Sequence, residues 1–405
     1  MLRYDEILGE LRQRSLYREL KTIEEINGST VRVADRFLVN FASNDYLGLS
    51  QHPSVKAAAK AAIERFGTGT GASRLVTGTE SPHTKFEEEI AVFKGAESAL
   101  LFSTGYAAAL GTIPSLVGPG DVIILDKLAH ACLIDGAKLS GASLRVYPHN
   151  NVARLKHHLL WAQQAYPQGK TLIVTESVFS MDGDFADLVE IVALKMEFRA
   201  LLLVDEAHAT GVIGPQGAGL VAALGLTPHV EIQMGTLSKA LGASGGFICG
   251  SKTLIQLLVN RARSFIYSTS LPPPSASAAS AALEIVQTAE GDTLRSRLGR
   301  NVRLLVENLT SEHGQVAEPV SPIFPLLVGS ELEAVRLAET LSNQGFLAPA
   351  IRYPTVARGA ARLRITLSAS HNLEQIEMFS RTIIASRPCS KEPPPQTLRK
   401  RRSER

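Results

Sequence analysis

Four short runs of bulky residues restrict the folds open to this chain: Ala99-Leu100-Leu101-Phe102, Val122-Ile123-Ile124-Leu125, Leu172-Ile173-Val174-Thr175 and Leu201-Leu202-Leu203-Val204. None alternates apolar with polar residues, so each predicts a strand buried on both faces, as in a parallel sheet. Parallel neighbours need crossovers. Helical segments at 84–93, 107–116, 131–140, 152–166 and 187–198 stand where crossovers are required, with a further strand at 144–147. The alternation predicts an α/β fold: a mostly parallel sheet with helices on both faces.

The flanks read differently. Residues 1–26 space Leu8, Leu11, Leu16 and Leu20 as a helix would, and 31–40 reads as a short strand or hairpin. Ser54 is placed to cap a helix over 55–65. A glycine-bounded strand is expected at 245–250, with its direction open. After the break at Pro272-Pro273-Pro274, helices at 275–289 and 293–313 and short strands near 323–328 and 362–367 predict a smaller C-terminal α+β domain. The expected division is an N-terminal segment over 1–45, a large α/β domain over 46–274, a small domain over 275–388 and a basic tail over 389–405.

Composition narrows the classes further. With 45% hydrophobic and 20% charged residues, the chain is of globular type and long enough for a large core. The net charge of +3 is misleading, because residues 391–405 alone carry six basic and two acidic side chains. The body has no basic, aromatic-interleaved stripe, so nucleic acid is not an expected partner. The three cysteines, Cys132, Cys249 and Cys389, show no metal-ligand or CxxC spacing, and no metal is expected. That cysteine usage, an amino terminus without an apolar signal core and the lack of any run near ~18 apolar residues predict a cytoplasmic protein off the membrane.

Function is written at the strand ends. In an open α/β sheet, ligands sit beyond the carboxyl ends of the strands. Leu201–Val204 runs directly into Asp205, Glu206, Ala207 and His208. Lys239 follows in Thr236-Leu237-Ser238-Lys239, ahead of Gly242, Gly245 and Gly246. Alone, Asp205 could cap a helix and Lys239 could be solvated. Together they match what pyridoxal phosphate requires, an imine-forming lysine and an acid that keeps the pyridine nitrogen protonated. Desolvation and a nearby cation would lower the pKa of such a lysine.

Other candidates follow the same logic. Ser103-Thr104-Gly105-Tyr106 joins a strand to a helix, where free backbone amides suit a phosphate. Thr236 and Ser238 add hydroxyls. His208 could bond the ring oxygen, and His130, after another strand end, could stack on a flat cofactor. Arg352 and Arg364 flank the Pro354-Thr355 turn, and a planar guanidinium suits a carboxylate. Gly242-Ala243-Ser244-Gly245-Gly246 has the form GxSxG but precedes a strand, which argues against a nucleophile elbow. The Gly67–Gly71 cluster lacks the spacing of a dinucleotide fingerprint, and no GxxxxGK[ST] is present.

Taken in order, the motifs resemble those of the α-oxoamine synthase family of pyridoxal-phosphate enzymes over about residues 2–385. They are FASNDYLGL at 41–49, Gly78-Thr79 after SRLVT, VFSMDGD at 178–184, DEAH at 205–208, TLSKALG at 236–242, and Pro354-Thr355-Val356 ahead of RLRITLSASH. The resemblance implies the type I, aspartate-aminotransferase-like fold with a seven-stranded, mostly parallel sheet, and a homodimer whose active sites lie at the subunit interface. It implies that Lys239 holds pyridoxal 5'-phosphate covalently, that Asp205 and His208 meet the ring nitrogen and ring oxygen, and that His130 stacks on the ring. Gly105, Tyr106, Ser180 and Thr236 are implied cofactor contacts, and Ser268 and Thr269 implied contacts to the partner's phosphate. Arg18, Asn44, Arg352 and Thr355 are implied substrate contacts, with Arg352 on the amino-acid carboxylate.

The motif wording is most similar to members that condense L-alanine with pimeloyl-CoA or pimeloyl-acyl carrier protein. Relatives that use glycine or serine instead are the alternative reading, and a non-catalytic partner subunit or a nucleotide-binding α/β protein are more distant ones. Lys239, Asp205 and His208 together argue against a subunit without catalysis. Tyr353 and Ala357 stand where relatives often have proline, and the basic tail is an addition to the family pattern.

Overall fold

The computed structural model describes residues 4–310 and 321–386; the tail at 389–405 lies outside the described residues. Seven strands form the central sheet in the order Ser98–Phe102, Gly246–Gly250, Ile232–Thr236, Leu201–Asp205, Thr171–Glu176, Val122–Asp126 and Ser143–Tyr147. Gly246–Gly250 is antiparallel to both neighbours, and the remaining pairings are parallel. This is the seven-stranded, mostly parallel sheet that the resemblance implies; Ile232–Thr236 is a strand the residue pattern does not predict, and the direction of the glycine-bounded strand is now fixed.

The inner strands fill both faces, while the edge strand Ser143–Tyr147 leaves Val146 exposed. Leu203 and Val174 pack with Ile113 and Leu133, from the helices Gly105–Leu116 and Ala131–Ser140. Val204 and Ile173 pack on the opposite face with Leu159 and Ile191, from Val152–Ala165 and Leu188–Phe198. Burying a side chain of this size contributes about 1.5–3 kcal/mol, so double-sided burial is what holds the polar strand ends in place.

The chain ends form a second unit. Ile323–Gly329, Ala361–Thr366 and Ala350–Ile351 make an antiparallel sheet. The hairpin Thr30–Val33 and Arg36–Asn40 continues into a parallel pairing with Phe346–Leu347, so the N-terminal segment shares a sheet with the C-terminal part. Phe41 then stacks between Phe379, at 3.8 Å between centroids, and His371, at 4.3 Å. From that anchor residues 42–48 cross toward the central sheet. Pro273–Val286 packs on Pro53–Phe66 and Ser81–Phe93, joining residues on both sides of the expected boundary at 274.

Two local expectations are corrected. The N-terminal helix covers Tyr4–Gln13 only, because Ser15 takes a left-handed conformation with φ 54° and ends it. Leu16 and Leu20, read as helical, lie beyond it, and Leu20 is fully exposed. The helix Pro53–Phe66 is capped by His52, whose Nδ1 accepts the Ser54 amide, since Pro53 occupies the first helical position.

One clamp sits beside the sheet's carboxyl edge. His149 Nδ1 lies 3.0 Å from Asp126 Oδ1, and Nε2 lies 2.7 Å from Asp184 Oδ2. Burial opposes a charge on this ring, but the hydrogen bonds to Asp126 and Asp184 win and push its pKa up to about 10. The folded value exceeds the unfolded one of about 6.5, so the stabilisation is complete below that pH and is lost as pH rises through about 10. In His149→Gln protein the decline in melting temperature between those limits should flatten; a profile identical to the wild type would refute the clamp.

Candidate active site

Lys239 occupies the turn between the strands Ile232–Thr236 and Gly246–Gly250. Thr236 Oγ1 braces this turn by donating to the Gly245 carbonyl at 2.7 Å and accepting the Ser238 amide at 3.2 Å. Gly242, at φ 62°, lets the turn lie directly on the backbone of residues 49–50; a Cβ there would come within 2.3 Å of the Ser50 nitrogen. The lysine is therefore set by main-chain packing on two sides.

From Lys239 a chain of polar contacts runs inward. Its Nζ lies 2.8 Å from His208 Nε2, and His208 Nδ1 lies 2.6 Å from the Tyr46 hydroxyl. That hydroxyl is 3.2 Å from Asn44 Oδ1, which also accepts Arg364 Nη1 at 3.0 Å. Arg364 Nε donates to the Ser180 carbonyl. Burial pushes the Tyr46 phenol up to about 12, against the pull of Arg364. Burial, reinforced by Lys239, Arg364 and His130, holds His208 well below its ordinary value, so the imidazole is neutral. Burial also brings Lys239 down to about 8, although Asp205 and Glu176 oppose this.

The acids stand on the strands themselves. Asp205 and Glu176 are register partners on neighbouring parallel strands, and both are buried. Asp205 Oδ1 accepts the Ala207 amide at 2.9 Å; among the described residues no group bonds its other oxygen. Burial raises its pKa, while Lys239 and the Ala207 amide pull it back. Glu176 is raised well above the carboxylate range by burial and by Asp205 beside it, and it accepts the His130 amide at 2.6 Å. His130 caps Ala131–Ser140, its Nδ1 accepting the Cys132 amide.

Against the other end of the lysine turn lies the start of the helix Gly105–Leu116. Thr104 Oγ1 takes the Ala107 amide, leaving the amides of Gly105 and Tyr106 with no acceptor among the described residues. Gly105 is in van der Waals range of Thr236, and a Cβ on Gly246 would lie 2.5 Å from the Gly105 nitrogen. The Tyr106 hydroxyl donates to Asp135. A lysine of lowered pKa, an acid with an unused oxygen and a helix start with free amides are the three groups pyridoxal phosphate needs; here Asp205 acts on Lys239 electrostatically, and the helix start at Gly105 lies against Thr236 and Gly246, at the two ends of the lysine turn.

A model of the aminotransferase class I and II family matches residues 37–383. The chain belongs to that family. Among curated relatives of this family member, an 8-amino-7-oxononanoate synthase from Geobacter sulfurreducens is 47% identical over 370 residues, covering 91% of this chain and 94% of the relative. One of the same name from Citrifermentans bemidjiense is 45% identical, covering 93% of this chain and 96% of that one. Among solved structures, serine palmitoyltransferase from S. paucimobilis with bound PLP and myriocin aligns at a TM-score of 0.87 and 30% identity, covering 94% of this chain and 97% of that one.

Within this family member the site residues read from sequence fall into separate groups. Lys239, His208, Asn44 and Ser180 are joined through Tyr46 and Arg364 by hydrogen bonds, Asp205 and His130 act on the lysine and imidazole electrostatically, and Gly105 lies beside Thr236 at the base of the lysine turn. Arg18, Arg352 and Thr355 form a second group: Arg18 donates to Thr355 Oγ1 at 3.2 Å, and Arg352 donates to the carbonyls of Ser15 and Tyr17. Arg364 therefore stands in the chain leading to Lys239, while Arg352 ties down the N-terminal segment. Ser268 and Thr269 line a small cavity with Arg74 and Ser103, and Thr269 bridges to Ser73. Sequence reading passed over Tyr46 and Glu176. Tyr46 lies inside a motif already noted, and Glu176 ends an apolar run just as Asp205 does.

Proposed function

We propose that this protein joins L-alanine to a pimeloyl thioester, carried on CoA or on an acyl carrier protein, with loss of CO2, giving 8-amino-7-oxononanoate. What carries this reading is the match to synthases of that name across more than nine-tenths of the chain at 43–47% identity, extending through the Lys239 cleft. One C–C bond forms between alanine Cα and the acyl carbon, the thioester C–S bond breaks, and the alanine carboxyl carbon leaves as CO2.

Bound pyridoxal phosphate supplies an aldehyde for the amino group and a cationic ring that accepts the electron pair left on Cα. The protein's own residues do the rest. Lys239, its pKa brought down to about 8, would offer a free amine to the aldehyde and afterwards take the Cα proton at Nζ. Asp205, with one oxygen unused, would hold a proton on the ring nitrogen. The Gly105 and Tyr106 amides with Thr236 would hold the phosphate. His130, fixed by Glu176 and by its capping bond, would contact the ring. Arg364, braced by Ser180 and Asn44, would receive the amino-acid carboxylate in place of Arg352, whose guanidinium is tied to the Ser15 and Tyr17 carbonyls. Removing charge stabilisation of this kind typically costs ~10²–10³ in kcat. Asp205→Asn protein should show that loss in turnover with its melting temperature within a few degrees; near-normal kcat would remove Asp205 from this role.

A homodimer in the cytoplasm belongs to the same reading; among the described residues no helix is long and apolar enough to cross a membrane. The likeness to serine palmitoyltransferase makes serine with a long acyl thioester the competing reading. Purified protein offered L-alanine, L-serine or glycine with short, dicarboxylic and long acyl thioesters decides between them by product mass. Alanine with the pimeloyl thioester should give the dominant product, and a serine-derived long-chain ketone would overturn the assignment.

A further inference from the structure

The contacts around His208 set a proton-counting problem. A neutral imidazole carries one N–H, so one ring nitrogen donates and the other accepts. Lys239 as an ammonium has donors only. Its 2.8 Å contact then makes His208 Nε2 the acceptor and places the hydrogen on Nδ1. Nδ1 must donate to the Tyr46 oxygen at 2.6 Å, and Tyr46 must send its own hydrogen to Asn44 Oδ1. Asn44 Oδ1 has a second lone pair for Arg364. Every group in this arrangement is satisfied.

When Lys239 is a neutral amine its nitrogen can accept. The hydroxyl of Tyr46 can then turn to His208 Nδ1, and Nε2–H faces Lys239 and the cleft. This arrangement is satisfied as well, and it holds one proton fewer: Lys239 passes a hydrogen to Nε2, and the hydrogen formerly on Nδ1 is released to solvent. We propose that Tyr46 is a positioning residue for His208, its hydroxyl turning between Asn44 Oδ1 and His208 Nδ1 to stabilise whichever imidazole tautomer matches the charge on Lys239. His208 thus offers an Nε2–H donor to the cleft at the moment the lysine is a nucleophile.

The geometry supports a hydroxyl that rotates and does not ionise. Tyr46 has no exposed surface, His208 is 4% exposed, and burial keeps the phenol protonated. The charged and titratable groups acting on this pair come from several elements: Lys239 on its turn, Arg364 on Ala361–Thr366, and His130 at its helix cap. Asp205, Glu176 and Cys132 act through Lys239. The inference rests on the proposed reaction only for its use in turnover. The tautomer measurement needs neither cofactor nor substrate, so the two can fail separately.

Nitrogen-15 NMR of histidine-labelled apoprotein, with His208 assigned by the loss of its signals in His208→Gln, reads the tautomer directly. Well below the Lys239 pKa of about 8 the hydrogen should sit on Nδ1, and well above it on Nε2. The same tautomer at both pH values would overturn the proposal. Tyr46→Phe tests the rotor itself. The ammonium arrangement contains the charge-assisted, stronger bonds, so cutting the chain weakens it more than the neutral one. The pH midpoint for imine formation with free pyridoxal should therefore move below the wild-type midpoint, and an unmoved midpoint in folded Tyr46→Phe protein would remove Tyr46 from the mechanism.

Discussion

Lys239→Ala protein is expected to fold, to bind pyridoxal phosphate without a covalent link, and to turn over at least ~10²–10⁴ times more slowly than the wild type. The lysine serves twice, as the amine that meets the aldehyde and as the base at Cα, so a single substitution removes both roles. Its side chain is half-buried at the cleft and carries none of the core, which is why stability should change little. The measurement is kcat with L-alanine and pimeloyl thioester, alongside the melting temperature. Turnover near the wild-type rate would place the catalytic amine elsewhere.

The second large effect lies in the fold. Lys94 and Glu206 form an ion pair whose side chains have no exposed surface. Lys94 Nζ also donates to the Ala218 carbonyl, and Glu206 Oε1 accepts the Val221 amide at 3.0 Å. Breaking a buried pair from one side leaves an uncompensated charge, typically at a cost of ~3–5 kcal/mol. Lys94→Met protein should lose that much in denaturant unfolding. The Lys94→Met, Glu206→Leu double variant should recover much of the loss, because the stranded carboxylate is gone. Glu206 adjoins Asp205, so the pair also fixes the backbone beneath the catalytic acid. A single-variant loss below about 1 kcal/mol would mark Lys94 as an ordinary solvated lysine.

Particular residues show how far the sequence could be read. Leu201–Val204 announces its strand because unbroken branched and aliphatic side chains have no other use at that length. Its neighbour Ile232–Thr236 went unread because Gln233 and Gly235 interrupt the apolar pattern. The structure gives both a reason: Gln233 Nε2 donates to the Lys94 carbonyl at 3.2 Å, and a Cβ on Gly235 would lie 2.3 Å from the Phe247 ring. Local pattern carries no information about either long-range contact. Lys94 likewise resembles a surface lysine until Glu206 is brought to it across 112 residues.

The cleft follows the same rule. Asp205, His208 and Lys239 stand at strand ends or in glycine-rich turns, where composition and position together suggest chemistry. Tyr46 and Arg364 reach the same place from the chain's two ends, through the stacking of Phe41 and the strand Ala361–Thr366. Arg352 and Arg364 offer the same side chain on either side of one turn, and only packing separates their partners. The helices Lys252–Arg261, Glu331–Asn343 and Leu373–Ser386 also went unread.

The direct test of the central claim is chemical. Protein loaded with pyridoxal phosphate is reduced with borohydride, digested, and its peptides are mapped by mass. The account expects the phosphopyridoxyl group on Lys239 and its disappearance in Lys239→Ala protein. The same mass on a different lysine, or on none, would contradict it.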